Sequence, residues 1–245
     1  MGDLRMDMPP IGLWGVEAPL APLAGGHRNR AFRTAGLERD VVFKTTRRLP
    51  EAIEWLAPVF GIAEGSGFAV PWAIKSRTGR YVEHGWTCEI FIQGRAFRDA
   101  EMRHVRAPML RFHAATKAVA QRPGFLAAGD FIHCDVGGDV DLRGMPADIV
   151  AACRAAWSRI AERPVCAVHG DLNPGNLLWT ADGKIALLDW DECRVDAALF
   201  DGAAIGWDRD EERLAVLAWE VACSWHLEPA YARHLAAKLP LSPPG

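Results

Sequence analysis

Residues 168–191 read VHGDLNPGNLLWTADGKIALLDWD, and their pattern decides what kind of chain this is. Leu177-Leu178-Trp179 and Ile185-Ala186-Leu187-Leu188 are short apolar runs on either side of Thr180-Ala181-Asp182-Gly183-Lys184, whose Asp-Gly pair is a hairpin signal. A hairpin returns the chain to its starting end. Asn176, just before the first strand, and Asp189, just after the second, therefore share that end, with Asp171 in the loop leading in.

Two carboxylates and an amide oxygen at one place suit a hard divalent cation. Mg²⁺ takes oxygen ligands, usually one or two carboxylates completed by phosphate oxygens and water. Asn176 and Asp189 fit that role, while Asp171 is placed to orient a hydroxyl nucleophile and accept its proton. The spacing H-G-D-x-x-x-x-N is that of a kinase catalytic loop, with Gly170 where protein kinases carry Arg. An isolated His-x-Asp or Asp-Gly turn means little; the combination is specific.

Working outward, the chain changes character twice. Between Leu20 and Thr46, short β-prone pieces alternate with Gly-Gly and Ala-Gly-Leu-Glu-Arg-Asp breaks, which predicts three antiparallel strands. Pro50 to Phe60 has Pro in its first turn, early Glu51 and Glu54, and apolar Ile53, Leu56 and Phe60, the pattern of a short helix. Two more strands are expected over 68–77 and 80–92, joined near Thr78-Gly79. After Gly94 the period becomes helical, with helices expected over Asp99–Ala120 and Ala147–Glu162 and two or three more beyond Asp196, carrying Trp219, Val221 and Trp225. In the polar stretch 129–144, Asp135, Asp139 and Asp141 are spaced loosely like a calcium loop but lack its closing Glu, so a surface loop is the reading. The expectation is an α+β chain of two lobes: residues 1–93, an antiparallel-sheet lobe, and residues 94–245, a mostly helical one.

Composition narrows the function classes. With 50% hydrophobic and 24% charged residues the chain has the balance of a folded globular protein. A formal charge of -3 gives no electrostatic reason to expect nucleic acid as a partner, and the cluster Lys44, Arg47, Arg48 reads as a solvated strand end. Six scattered cysteines without a C-x-x-C pair suggest neither zinc nor a disulfide framework. MGDLRMDMPP lacks the regions of a secretory signal, and no segment has the length of a membrane span, so a cytoplasmic location is expected.

The sequence resembles the aminoglycoside phosphotransferase and choline kinase superfamily, small-molecule kinases of protein-kinase-like fold. The resemblance rests on VHGDLNPGNLLW and LLDWDE in the C-terminal half and on PLAGGHRNRAF, VVFKTT and EIFIQGR in the N-terminal half. It implies a two-lobed enzyme that moves the γ-phosphoryl group of ATP, or GTP, to a hydroxyl of a small molecule. Asp171 is then the catalytic carboxylate, Asn176 and Asp189 hold Mg²⁺, and His169 braces the loop. Lys44 contacts the α and β phosphates, with Glu54 or Glu51 as its partner. Gly25, Gly26 and Asn29 form the turn over the nucleotide, and the chain around Glu89 and Phe91 is the adenine-binding hinge.

Other residues carry weaker signals. Asp201 either hydrogen-bonds the catalytic loop or caps a helix, and Asp191 and Glu192 are acceptor contacts or solvated acids. His84, His104, His113 and His133 show no ligand spacing and are assigned no chemistry. The acids from Asp208 to Glu212 suit a helix N-terminus or a cationic substrate. An aminoglycoside-like acceptor is favoured over choline, homoserine or another metabolite, and the purpose is either antibiotic resistance or metabolism. The rival of another class is a nucleotide-sensing pseudokinase, which has no need of Asp171.

Overall fold

A computed structural model describes residues 8–23, 29–206 and 209–240, and the chain divides into two compact units. The first comprises the chain up to Gly61 together with Val70–Gln93; the second comprises Ile62–Ala69 and everything from Gly94 on. Gly25 and Gly26 lie outside the described residues.

The first unit is built on an antiparallel sheet in the order Leu20–Pro22, Ala31–Thr34, Val41–Thr45, Trp86–Ile90. Phe32, Phe43, Trp86 and Cys88 form its apolar cluster. A 3-10 turn, Ile11–Trp14, closes this cluster without having been foreseen. Trp14 stands edge-on to Phe43 at 5.5 Å while its Nε1 donates to Ile74 O at 2.8 Å, so a large ring is half-buried with its polar atom satisfied. The helix expected over 50–60 is two, Pro50–Glu54 and Leu56–Gly65, the second running five residues further than its apolar spacing indicated.

Two strand expectations are corrected. The run 68–77 does not form one strand: Pro71 has no N–H to donate, and only Phe68–Ala69 is a strand, paired in parallel with Ile185–Leu187 in the second unit. That pairing accounts for residues 62–69 grouping with the C-terminal part. In 80–92 only Trp86–Ile90 is a strand, because the chain turns at His84 and Gly85, both at positive φ.

In the second unit the predicted hairpin is present, with Leu177 opposite Leu187, Leu178 opposite Ala186 and Trp179 opposite Ile185. Gly94–Ala96 flanks it on one side and Phe68–Ala69 on the other. A second antiparallel pair, Val165–Val168 with Arg194–Ala197, was not foreseen. All four residues of the latter strand are buried, including Arg194 and Asp196, so its polar side chains do not mark a solvent face.

The helix expected over 99–120 is a 3-10 segment, Asp99–His104, followed by Arg106–Ala115. Pro108 explains the break, since its ring cannot accommodate a helical bond to the carbonyl four residues back. Ala147–Ser158, Asp210–Ser224 and Pro229–Ala236 pack around Phe131, Trp157 and Trp219, whose ring centroids lie 5.6 to 6.3 Å apart. In the 129–144 stretch, Asp135 and Asp141 are taken by Arg154 and Arg143, and no metal-binding group of three His, Cys, Asp or Glu occurs among the described residues. No helix among them is long and apolar enough to cross a membrane.

Candidate active site

The loop that carries Asp171 leaves the strand Val165–Val168, buried from Cys166 on, through His169 and Gly170. Gly170 has φ 86°, and a Cβ there would lie 2.7 Å from Glu192 O and 2.9 Å from an Arg194 guanidinium nitrogen. Both the backbone angle and the space demand glycine where protein kinases carry Arg.

Asp171 is exposed, but its carboxylate is held. Asn173 Nδ2 donates to one oxygen at 2.9 Å and Asn176 Nδ2 to the other at 2.9 Å, while Asn176 also reaches Asp171 O at 2.8 Å. Asn173 in turn accepts from Gly175 N at 2.8 Å and so caps the 3-10 turn Pro174–Asn176. With its amide nitrogen spent on Asp171, Asn176 turns its amide oxygen, the atom a hard cation takes, away from that carboxylate.

Asp189 reaches the same end through the backbone. Leu188 N donates to Asn176 O at 2.9 Å, one rung beyond the hairpin ladder. Asp189 itself is exposed and left-handed, at φ 57° and ψ 68°. His169, fully buried, donates from Nε2 to Leu188 O at 2.8 Å and stands edge-on to Trp190. The loop and the hairpin end are thereby tied on both sides of Asp189.

Asp201 lies beneath. Its carboxylate accepts from His169 N at 3.0 Å, Gly170 N at 3.0 Å and His113 Nε2 at 2.8 Å. Although it precedes the short helix Gly202–Ile205, its side chain makes no capping bond, so the helix-cap alternative is set aside. Burial opposes its ionisation, but the His113 hydrogen bond, neighbouring histidines and the Gly170 amide outweigh that and hold its carboxyl below the ordinary value. His113, whose setting in LRFHAAT suits packing or hydrogen bonding inside the fold, is thus the third donor to this anchor, with its partner 88 residues away.

The acids at the start of the Asp210–Ser224 helix are matched by arginines: Glu211 by Arg163 and Arg209, Glu212 by Arg163, Asp210 by Arg213. Asp208 lies outside the described residues. Further along the same helix Glu220, unremarked in the sequence, is solvent-reached yet crowded by protein, and Tyr231 Oη donates to it at 3.4 Å. Burial first, and then the charge of Asp171, push its carboxyl above the ordinary 4.5 despite that bond. Glu220 therefore shares an electrostatic neighbourhood with Asp171.

In the first unit Lys44 is half-buried on Val41–Thr45, opposite Thr87 and Ala31. Glu51 and Glu54 are exposed, and the buried residues of their helix are Ala52 and Ile53. Asn29 is half-buried at the edge of the undescribed stretch. Glu89 pairs with Val42, and Phe91 donates its amide to Asp40 O at 3.0 Å and lies under the Arg33 guanidinium.

A model of the phosphotransferase enzyme family APH matches residues 19–237. The chain belongs to that family. Solved structures similar to this member of the APH family include choline kinase LicA from Streptococcus pneumoniae, at TM-score 0.63 and 13% identity, covering 91% of this chain and 93% of that one. Aminoglycoside phosphotransferase APH(4)-Ia matches at TM-score 0.62 and 15% identity over 93% and 94%. Spectinomycin phosphotransferase APH(9)-Ia, in complex with ADP and spectinomycin, matches at 0.56 and 9% over 93% and 91%. At such identities these likenesses establish the fold, which is α+β and protein-kinase-like. No curated protein sequence matches. Family and fold together make the chain a small-molecule phosphotransferase.

Proposed function

We propose that the chain transfers the γ-phosphoryl group of ATP, or GTP, to a hydroxyl of a cationic small molecule, with Asp171 as the proton acceptor. The observation that carries this reading is the Asn176–Asp171 amide–carboxylate contact combined with the Leu188–Asn176 rung that brings Asp189 alongside. Phosphoryl transfer depends mainly on positioning and charge stabilisation. A carboxylate steadied by two side-chain amides supplies the first for an incoming hydroxyl, lining up the O–H and taking its proton as the new P–O bond forms.

Asn176 and Asp189 fit Mg²⁺: both present oxygen donors, and two protein ligands are what this ion takes when phosphates and water complete its shell. Bound there, Mg²⁺ would supply charge neutralisation for the phosphate oxygens. Asp189→Asn should raise the Mg²⁺ concentration for half-maximal activity at least about tenfold and weaken nucleotide binding in parallel. An unchanged metal titration would remove Asp189 from this role.

Lys44 is assigned to the α and β phosphates, with Glu54 or Glu51 as its partner, and Gly25, Gly26 and Asn29 to the turn over the nucleotide. Glu89 and Phe91 mark the hinge. Because the Phe91 amide is committed to Asp40, adenine recognition would fall to its carbonyl and the backbone beyond. Neighbouring structures hold ADP or AMP-PNP, which favours an adenine nucleotide.

Glu220 favours an aminoglycoside-like acceptor over an uncharged one, since its charge lies near the group that activates the hydroxyl. Choline or homoserine is the second reading, given the choline kinase neighbour. A carboxyl with a raised pKa loses its charge earlier as pH falls, so attraction for a cation is present above that value and lost below it. The acceptor KM should therefore rise as pH falls through the raised Glu220 value, and Glu220→Gln should flatten the profile at a cost of about fivefold in KM, that of a solvent-screened ion pair of ~1 kcal/mol. A Glu220→Gln profile identical to wild type would refute the assignment. The general test is nucleotide turnover with a panel of aminoglycosides, amino sugars, choline and homoserine. Acceptor-dependent ADP release supports transfer, whereas Mg·ATP binding with no productive acceptor would support a sensing module.

A further inference from the structure

Arg122 is among the largest fully buried side chains of the protein, at 1% exposure, and nothing in its sequence context, AQRPGF, marks it. One of its guanidinium nitrogens, Nη1, lies 3.1 Å from Trp190 O, 2.9 Å from Asp191 O and 2.9 Å from Cys193 O. The guanidinium also rests on the Phe125 ring, with its carbon 4.6 Å from the centroid. Gln121 grips the next residue along. Its Nε2 donates to Val195 O at 2.8 Å and its Oε1 accepts from Val195 N at 2.9 Å and from Arg122 N at 2.8 Å. The dipeptide Gln121-Arg122 thus fastens residues 190–195, the segment that begins immediately after Asp189.

That segment needs fastening. Asp189 is one of two non-glycine residues at positive φ among the described residues, a conformation that costs about 1–2 kcal/mol for an L-residue and persists only where its surroundings enforce it. Upstream, the Leu188 amide and carbonyl are held by Asn176 and His169. Downstream, three carbonyls converge on one buried cation, an arrangement in which charge and three dipoles reinforce each other in a poorly solvated place.

We infer that Arg122 is a positioning residue for Asp189, fixing the direction of its carboxylate by holding the carbonyls of the following turn. The inference rests on the proposed reading of Asp189 as a Mg²⁺ ligand. A residue that merely stabilised the core would lower thermal stability when changed but leave metal affinity alone.

The test compares Arg122→Met, Arg122→Lys and Asp189→Asn in the full chain, measuring the Mg²⁺ midpoint of nucleotide binding alongside kcat, KM and the thermal midpoint. Arg122→Met should raise the Mg²⁺ midpoint about 10- to 100-fold, the usual effect of losing a group that orients a ligand, with a smaller change in kcat once Mg²⁺ saturates. Arg122→Lys should restore only part of the affinity, because an ammonium carries charge and N–H donors toward the same carbonyls but on a shorter stem and without the planar stack on Phe125. A folded Arg122→Met with the wild-type Mg²⁺ midpoint overturns the inference, and so does an Arg122→Lys no better than Arg122→Met. If Asp189→Asn also leaves the midpoint unchanged, the metal-ligand reading itself has failed; if Asp189→Asn shifts it and Arg122→Met does not, only the positioning role has. Should Arg122→Met fail to fold, Gln121→Ala loosens the same segment without removing the buried charge: a raised Mg²⁺ midpoint supports the inference and an unaltered one overturns it.

Discussion

Asp171→Asn is expected to lower kcat by about 10²- to 10⁴-fold, the range associated with losing a general base, while the affinity for nucleotide stays close to wild type. The two effects separate because of where Asp171 sits. Its oxygens are engaged by the Asn173 and Asn176 amides rather than by the hairpin end that carries Asp189, so removing its charge alters proton acceptance without unmaking the metal ligands. The substitution does place an amide NH₂ against one of those two donors. Because Asp171 is exposed, water can relieve that conflict, and the thermal midpoint should scarcely move. Steady-state kinetics with an acceptor, paired with direct binding of Mg·ATP, check the prediction. Wild-type turnover would exclude Asp171 as the base; a parallel loss of Mg·ATP binding would instead mean that the Asn176 oxygen had been displaced with it.

What could be read in advance follows from the range of the interactions involved. The hairpin was legible because short apolar runs and an Asp-Gly turn are local, and Asp171, Asn176 and Asp189 were legible because the hairpin converts their sequence spacing into proximity. The contacts that hold those residues are not local. Asp201 is anchored by His113 across 88 positions and Arg122 reaches Trp190 across 68, separations over which local pattern names no partner. The Arg194–Ala197 strand was missed for the same reason: a buried Arg194–Asp196 pair looks like surface when read as sequence. Glu220 drew no notice beside the denser acids at 208–212, of which Asp210, Glu211 and Glu212 are matched by Arg213, Arg163 and Arg209. Charge density in the sequence does not report proximity to Asp171, which only the fold supplies.

Asp201→Ala should be the most destabilising of these substitutions. It removes a buried carboxylate that accepts three hydrogen bonds, leaving the His169 and Gly170 amides and the His113 ring nitrogen to face a cavity. Breaking a buried charged contact in this way costs about 3–5 kcal/mol, or roughly 6–20 °C in thermal midpoint for a chain of this size. Asp201→Asn should be milder, about 1–3 kcal/mol, because its single carbonyl can serve His113 and His169 N while its NH₂ confronts the Gly170 N–H. The two variants also predict a pH signature. The folded-state pKa of Asp201 is depressed, so its stabilising contribution is present above the unfolded value of about 3.9 and is lost as pH falls through the folded one. The stability gap between wild type and Asp201→Asn should accordingly narrow as pH falls below about 5. Chemical denaturation at a series of pH values measures this directly. A gap that stayed constant into strong acid would mean that Asp201 is not an ionised anchor, and that the catalytic loop is held by some other group.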